Sequence, residues 1–96
     1  MEVLLDGRCM TDREMTHIYL AEMLSLPGYY GKNLDALFDL LTDYADNLYI
    51  IIVHGDVMIQ SLGNYGQALL DTIYDAAHEN PKIKISICNE INKNYS

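Results

Sequence analysis

The hexapeptide LYIIIV, residues 48–53, decides the fold of this 96-residue chain. Apolar side chains occupy successive positions, so both faces of a strand here would be apolar, and three isoleucines favour a strand. Such a strand is typical of the centre of a parallel sheet that helices cover on both sides. We therefore expect LYIIIV to be the central strand of an α/β domain.

Amphipathic helices are predicted on both sides of this strand in the sequence. Residues 11–24 and 33–44 precede the strand, and residues 64–79 follow it. In the second helix, apolar residues recur at the i, i+3, i+4, i+7 spacing of one buried face. The expected caps are Thr11, with Glu14 completing a capping box, Asn33 and Asn64.

Two more strands complete the predicted sheet. Residues 2–5 are a short, mostly apolar strand candidate that ends in an Asp6-Gly7 turn, while residues 82–88 alternate polar and apolar as an edge strand does. The predicted order is strand, helix, helix, strand, helix, strand. Helical crossovers imply a small three-stranded parallel sheet packed with helices. We expect one domain over residues 1–96, with a frayed tail from about residue 90.

Charge and composition limit the classes of function. Fourteen acidic against six basic residues give a net charge of −8. Such a chain is expected to repel nucleic acid and anionic lipid and to attract cationic partners. No apolar run is long enough to span a membrane, and the first residues do not resemble a secretory signal, which favours the cytoplasm.

The sequence offers few groups for catalysis. It lacks the common nucleotide-binding and nucleophile motifs, and Cys9 and Cys88 do not form the paired spacing of a zinc site. His54 and Asp56 follow the central strand, at the edge where α/β sites gather. They leave open a small enzyme or metal site that also uses nearby carboxylates. His17 is expected to be a half-buried, hydrogen-bonded histidine of the first helix rather than a ligand.

The second predicted helix carries a row of like charges. Asp35, Asp39 and Asp43 recur every four residues and so share one face. No lysine or arginine lies three or four residues from Asp39, and like charges at this spacing destabilise a helix. The row is either a solvated face or a binding face for a cationic protein.

Two adjacent tyrosines, Tyr29 and Tyr30, precede this helix in a turn that also contains Gly28 and Gly31. Tyrosines in a turn can fill the core, or they can anchor an interface through a large ring with a polar tip. Aromatic rings beside an acidic row favour a face that binds a basic protein.

The segment LPGYYGKNLDALFDLLT, residues 26–42, resembles the signature segment of the barstar family. The weaker resemblance of the flanking parts extends over nearly the whole chain. Members are small cytoplasmic bacterial inhibitors of barnase-type ribonucleases, with a three-stranded parallel sheet. The resemblance implies a protein that is not an enzyme, needs no cofactor or metal, and blocks the ribonuclease site with this helix and loop.

The resemblance also implies a set of partner-binding residues. Asp35 and Asp39 would meet the cations of the ribonuclease site, with Asp39 the deepest. Tyr29 would supply the aromatic contact and Thr42 a contact at the far end. The whole set is Tyr29, Gly31, Asn33, Leu34, Asp35, Phe38, Asp39, Thr42, Asp43 and Tyr44.

Some positions depart from the family's pattern. Phe38 and Tyr44 each replace a tryptophan, Asp43 replaces a glycine, and Lys32 replaces an acid. The family's acidic contact on the later helix falls on Ala76. We expect these changes to affect the choice of partner rather than the mode of binding.

Two functions follow from the sequence as hypotheses. The first is inhibition of a barnase-type ribonuclease, as its immunity partner, by a chain that is monomeric when free. The second is immunity to a different basic toxin or nuclease through the same face.

Overall fold

Three parallel strands form the sheet at the centre of the fold. The computed structural model describes residues 1–88 of the chain. Strands β1 (Glu2–Asp6), β2 (Leu48–Val53) and β3 (Ile83–Cys88) lie in the order β1-β2-β3. LYIIIV is therefore the central strand, as predicted. The tail expected to fray, from about residue 90, lies outside the described residues.

Helical segments make both crossovers between the strands. A 3-10 helix (Gly7–Cys9), α1 (Arg13–Met23) and α2 (Leu34–Thr42) connect β1 to β2, and α3 (Gly55–Leu62) and α4 (Asn64–Glu79) connect β2 to β3. This arrangement confirms the predicted α/β class with a parallel sheet. None of the helices within residues 1–88 is both long and apolar enough to cross a membrane.

The sequence did not predict α3, which occupies a stretch expected to be a connection. Its cap position is His54, in the left-handed conformation with φ 55° and with no side-chain capping bond. Asn64 was expected to cap the next helix but is its first residue, after Gly63. These two helices follow each other across a single glycine, so no polar cluster marks the boundary.

The other helix ends also differ from the prediction. Asp12, not Thr11, caps α1, because its carboxylate accepts a hydrogen bond from the Met15 amide at 2.8 Å. Helix α2 ends at Thr42, with Asp43 as its C-cap, so Tyr44 lies beyond the helix. Each shift is one or two residues and leaves the predicted buried faces in place.

The sheet is covered more completely on one face than on the other. In β2, Leu48, Ile50 and Ile52 are buried, whereas Ile51 and Val53 are only half-buried and Tyr49 is exposed. The prediction that both faces of β2 are covered was therefore wrong. An unbroken apolar run does not distinguish full coverage from partial coverage.

The core joins the covered face of the sheet to the four α-helices within residues 1–88, with α3 contributing the fully buried Met58. Its fully buried side chains include Leu5 and Ile50 from the sheet, Leu20 from α1, Leu37 and Leu41 from α2, and Leu69 and Ile73 from α4. Helix α2 uses only part of its circumference here, because Leu34 and Phe38 are half-buried and its aspartates are exposed. One long edge of α2 thus remains open to solvent.

Candidate functional site

The loop of residues 26–33 positions the two adjacent tyrosines in opposite directions. The side chain of Tyr29 is 81% exposed, whereas that of Tyr30 is 6% exposed. The loop begins where α1 ends at a left-handed Ser25 with φ 54°, and the Leu26 amide donates to the Ala21 carbonyl at 2.9 Å. The Tyr30 amide then donates to the Pro27 carbonyl at 3.0 Å. These bonds fix the path that presents Tyr29 to solvent.

Tyr30 is held inside by a histidine. Its hydroxyl is hydrogen-bonded to Nδ1 of His17, and Nε2 of His17 lies 2.6 Å from the hydroxyl oxygen of Tyr65. The prediction of a hydrogen-bonded histidine is confirmed, but the prediction that it is half-buried was wrong, because His17 is only 1% exposed. Burial lowers the pKa of His17 and raises the pKa of Tyr30.

Asn33 shapes the entry to α2 with both atoms of its amide. Its Oδ1 accepts from the Ala36 amide at 2.8 Å, and its Nδ2 donates to the Gly31 carbonyl at 3.3 Å. Between them Lys32 has φ 57°, the left-handed conformation that non-glycine residues rarely adopt. A Cβ on Gly31 would lie 3.3 Å from the Asn33 side chain. This tight corner sets the angle between the loop and the helix.

The exposed edge of α2 is acidic, and its carboxylates have no counter-ion in the part of the chain that the structure describes. Asp35, Asp39 and Asp43 are all exposed. Within residues 1–88, the ion pair that forms joins Arg8 to Asp6 at 2.8 Å, and it lowers the pKa of that carboxyl group. Asp35 benefits from the helix dipole in the first turn, but Asp39 is mid-helix and Asp43 is at the unfavourable end.

The remaining predicted residues surround this edge. Leu34, Phe38, Thr42 and Tyr44 are half-buried and pack beside it. The Thr42 hydroxyl donates to the Asp39 carbonyl at 3.0 Å. A cavity of about 200 Å³ lies between the loop and α2, lined among others by Tyr29, Gly31 and Asp39. The loop and the acidic edge therefore form one continuous surface.

Asn80 anchors the far end of α2. It is 7% exposed, and its Nδ2 donates to the carbonyls of Leu41 and Tyr44 at 3.0 and 3.1 Å. Its Oδ1 accepts from the Lys82 amide at 3.1 Å. The last carbonyls of α2 are thus tied to the start of β3, so the acidic edge rests on a rigid support.

The family model described as "Barstar (barnase inhibitor)" matches residues 1–89. The chain belongs to the barstar family. The Bacillus subtilis (strain 168) protein named "Putative ribonuclease inhibitor YrdF" is 35% identical to this chain over 79 residues, which cover 81% of this chain and 87% of that protein. The barstar match includes the entire loop and α2.

Three residues considered from the sequence lie elsewhere in this barstar fold. Ala76, on which the family's acidic contact of the later helix was placed, is fully buried and offers no surface to a partner. His54 and Asp56 lie at the junction of β2 and α3, with no hydrogen bond between their side chains. Within residues 1–88, no three histidine, cysteine or acidic side chains are grouped to hold a metal ion.

Sequence reasoning missed Arg13 and Tyr65, which meet beside the acidic edge. The guanidinium carbon of Arg13 lies 4.2 Å from the ring centroid of Tyr65. No sequence pattern connects these residues, because they belong to the first turns of α1 and α4. The sequence feature that could have pointed to Arg13 is its positive charge at the amino end of α1, where the helix dipole disfavours a cation.

Proposed function

We propose that this barstar-family chain inhibits a barnase-type ribonuclease by placing loop 26–33 and the acidic edge of α2 in the active site of the enzyme. One observation carries the proposal: Asp35 and Asp39 are exposed, one helical turn apart, and no cation among residues 1–88 pairs with them. The family's description as barnase inhibitors and the name of the Bacillus relative support it. The chain acts as an inhibitor, not as an enzyme.

The chemistry of the target explains the acidic edge. A ribonuclease binds the phosphates of RNA, so its site holds cationic side chains. Two carboxylates one turn apart present negative charges in series, as consecutive phosphates do. Bonds between a carboxylate and arginine or lysine are charge-assisted and strong once water is excluded. The carboxylates of α2 thus replace the phosphates of the substrate.

The surrounding residues assist this contact in different ways. Tyr29 supplies a ring that is already exposed and needs no rearrangement. Gly31 and Asn33 set the corner, and Leu34 and Phe38 give apolar area around the charges. Thr42, Asp43 and Tyr44 form the far rim.

The test is stoichiometric inhibition of a panel of barnase-type ribonucleases, including one encoded beside this chain. We expect one chain to abolish the activity of one enzyme molecule. A matched control is Asp56→Ala, which removes an equal charge from α3, whereas Asp39→Ala removes it from the proposed edge. Full activity of every enzyme with excess wild-type protein contradicts the proposal.

Asp43 and Ala76 favour a second candidate, immunity to a different basic toxin or nuclease through the same face. Asp43 adds an exposed carboxylate beyond α2, and the burial of Ala76 removes a contact on α4. A partner with more cations opposite α2 and fewer opposite α4 fits both changes. Protection against a toxin encoded beside this chain, with no inhibition of the ribonuclease panel, distinguishes this candidate from the first.

A further inference from the structure

A second cleft adjoins the proposed binding face. It measures about 440 Å³ and is lined by Arg13, Tyr65 and the first residues of the α2 corner, Asn33, Leu34 and Asp35. The last three residues also belong to the proposed face, so the cleft continues that face towards α1 and α4. We call it the Arg13 cleft.

Arg13 is held in the cleft by stacking rather than by an ion pair. Its guanidinium carbon lies 4.2 Å from the centroid of the Tyr65 ring. The Tyr65 hydroxyl is in turn fixed by His17 at 2.6 Å. A surface arginine usually loses much rotational freedom on binding, but this one is already oriented. The stack therefore presents a pre-organised guanidinium.

The donors of that guanidinium are unused. Within residues 1–88, its N–H groups form no hydrogen bond and no ion pair, although Asp35 lines the same cleft. A stacked guanidinium keeps its N–H groups free at its edge, in a planar fork that matches a carboxylate. Arg13 is thus ready to bind an oxyanion in a bidentate manner.

Arg13 experiences opposing local fields in the free chain, because Asp35 in the same cleft favours its charge and the dipole of α1 does not. It is the first residue of α1, where the helix dipole disfavours a cation. It also lies beside an edge proposed to meet a cationic enzyme, which would repel it. A carboxylate on the partner would relieve both effects. An RNA is disfavoured because the net charge of −8 repels a long polyanion, whereas a single carboxylate would be carried by an enzyme whose cationic site the acidic edge attracts.

We propose that Arg13 binds a carboxylate side chain of the inhibited ribonuclease and thereby selects enzymes with an acidic residue beside their cationic site. This inference rests on the proposed function. The acidic edge of α2 provides attraction to any cationic site. Arg13 provides discrimination, because an enzyme with a cation or an apolar group at that point leaves the guanidinium unpaired.

The test compares Arg13→Gln with Lys84→Gln, using the panel ribonuclease that the wild type inhibits most tightly. Lys84 is exposed on the edge strand β3, and each variant changes the net charge from −8 to −9. General attraction to a cationic enzyme predicts tighter binding by both. A specific bond predicts that Arg13→Gln raises Kd about 10-fold or more, whereas Lys84→Gln leaves Kd unchanged or lowers it.

Two further measurements locate the bond. Arg13→Lys keeps the charge but loses the stacked fork, so we expect its association rate to stay near the wild-type rate and its dissociation to be faster. Double-mutant cycles with the acidic residues of the enzyme, each changed to its amide, should show coupling with Arg13 at one residue.

The outcomes separate the two proposals. The role of Arg13 is overturned if Arg13→Gln and Lys84→Gln lower Kd equally, or if no acidic residue of the enzyme shows a coupling energy with Arg13. Inhibition by the wild type would still stand in either case. Failure of the wild type to inhibit any enzyme of the panel overturns both. Urea unfolding of Arg13→Gln checks that the variant is folded in the binding measurement.

Discussion

Nε2 of His17 lies 2.6 Å from the hydroxyl oxygen of Tyr65, a residue 48 positions away in the sequence. The other ring nitrogen is bonded to Tyr30, so the buried imidazole uses both of its polar atoms. A neutral imidazole has one donor and one acceptor, and a tyrosine hydroxyl can serve either. The network therefore joins α1, the tyrosine loop and α4 while His17 is uncharged.

The free energy of unfolding is expected to fall as the pH is lowered from about 6.5. Burial lowers the pKa of His17 in the folded state, so above that pH both states hold a neutral ring. Below it, the unfolded chain takes up a proton that the folded chain resists. The stability is therefore lost progressively until the lowered folded-state pKa is passed.

Urea unfolding between pH 5 and pH 8 measures this dependence. The control is His17→Gln, which keeps an amide donor and acceptor in the network but cannot titrate in this range. We expect the variant to be less stable at pH 8 and to show a smaller loss towards pH 5. Identical pH profiles for the two proteins would mean that other groups cause the dependence.

Asp39→Ala is expected to weaken binding far more than Asp43→Ala. Asp39 lies at the centre of the edge, and its removal would leave cations of the enzyme buried and unpaired, which costs about 2–5 kcal/mol. Asp43 is at the rim beyond α2, where loss of a charge should cost less than about 1 kcal/mol. Titration calorimetry with the inhibited enzyme measures both.

The same variants should be as stable as the wild type or slightly more stable. Asp39→Ala removes two like-charge pairs at i, i+4 and Asp43→Ala removes one, each worth roughly 0.2–0.5 kcal/mol, and alanine at position 39 also favours the helix interior. Lost binding with unchanged or gained stability is the mark of a functional carboxylate. Easier unfolding of Asp39→Ala, or wild-type affinity, would contradict its assignment as the central contact.

Association with the enzyme should slow steeply as salt is added. The acidic edge and the net charge of −8 attract a cationic site over a distance that shrinks from about 30 Å at 0.01 M salt to about 10 Å at 0.1 M. Stopped-flow mixing at several ionic strengths gives the slope. Asp35→Asn combined with Asp39→Asn should flatten it, and a flat slope for the wild type would rule out this edge as the docking face.

Asn80→Ala is expected to destabilise the fold by about 1–3 kcal/mol, because it leaves the carbonyls of Leu41 and Tyr44 without their buried donor. Asn64→Ala is the control, since Asn64 is exposed and its side chain makes no capping bond. Urea unfolding compares the two variants. Equal effects would indicate that Asn80 does not hold the end of α2.

The parallel sheet and the buried stripe of α2 could be predicted because each depends on a local pattern. The isoleucine run predicted β2, and the spacing of Leu37 and Leu41 predicted which side of α2 is buried. Helix α3 could not be predicted in the same way. It begins at a left-handed histidine without a side-chain cap, and it ends one glycine before α4.

The surface of the candidate site could be predicted only where its residues are continuous in sequence. The loop and α2 form one segment, so Tyr29, Asp35 and Asp39 could be placed on one surface from the family resemblance. The Arg13 cleft is made by the starts of three helices that only the fold brings together. The burial of Ala76 likewise depends on how α4 packs, which a gapless alignment does not describe.

Tyr29 and Tyr30 are consecutive residues, yet the ring of Tyr29 points outward and the ring of Tyr30 points inward. An insertion or deletion between the end of α1 and these rings is expected to move Tyr30 away from His17 and to change where Tyr29 meets the solvent. The bond between Tyr30 and His17 therefore favours a constant loop length between the end of α1 and Asn33. New specificities in this lineage are expected to arise by exchange of side chains at constant spacing, not by growth or shortening of the loop.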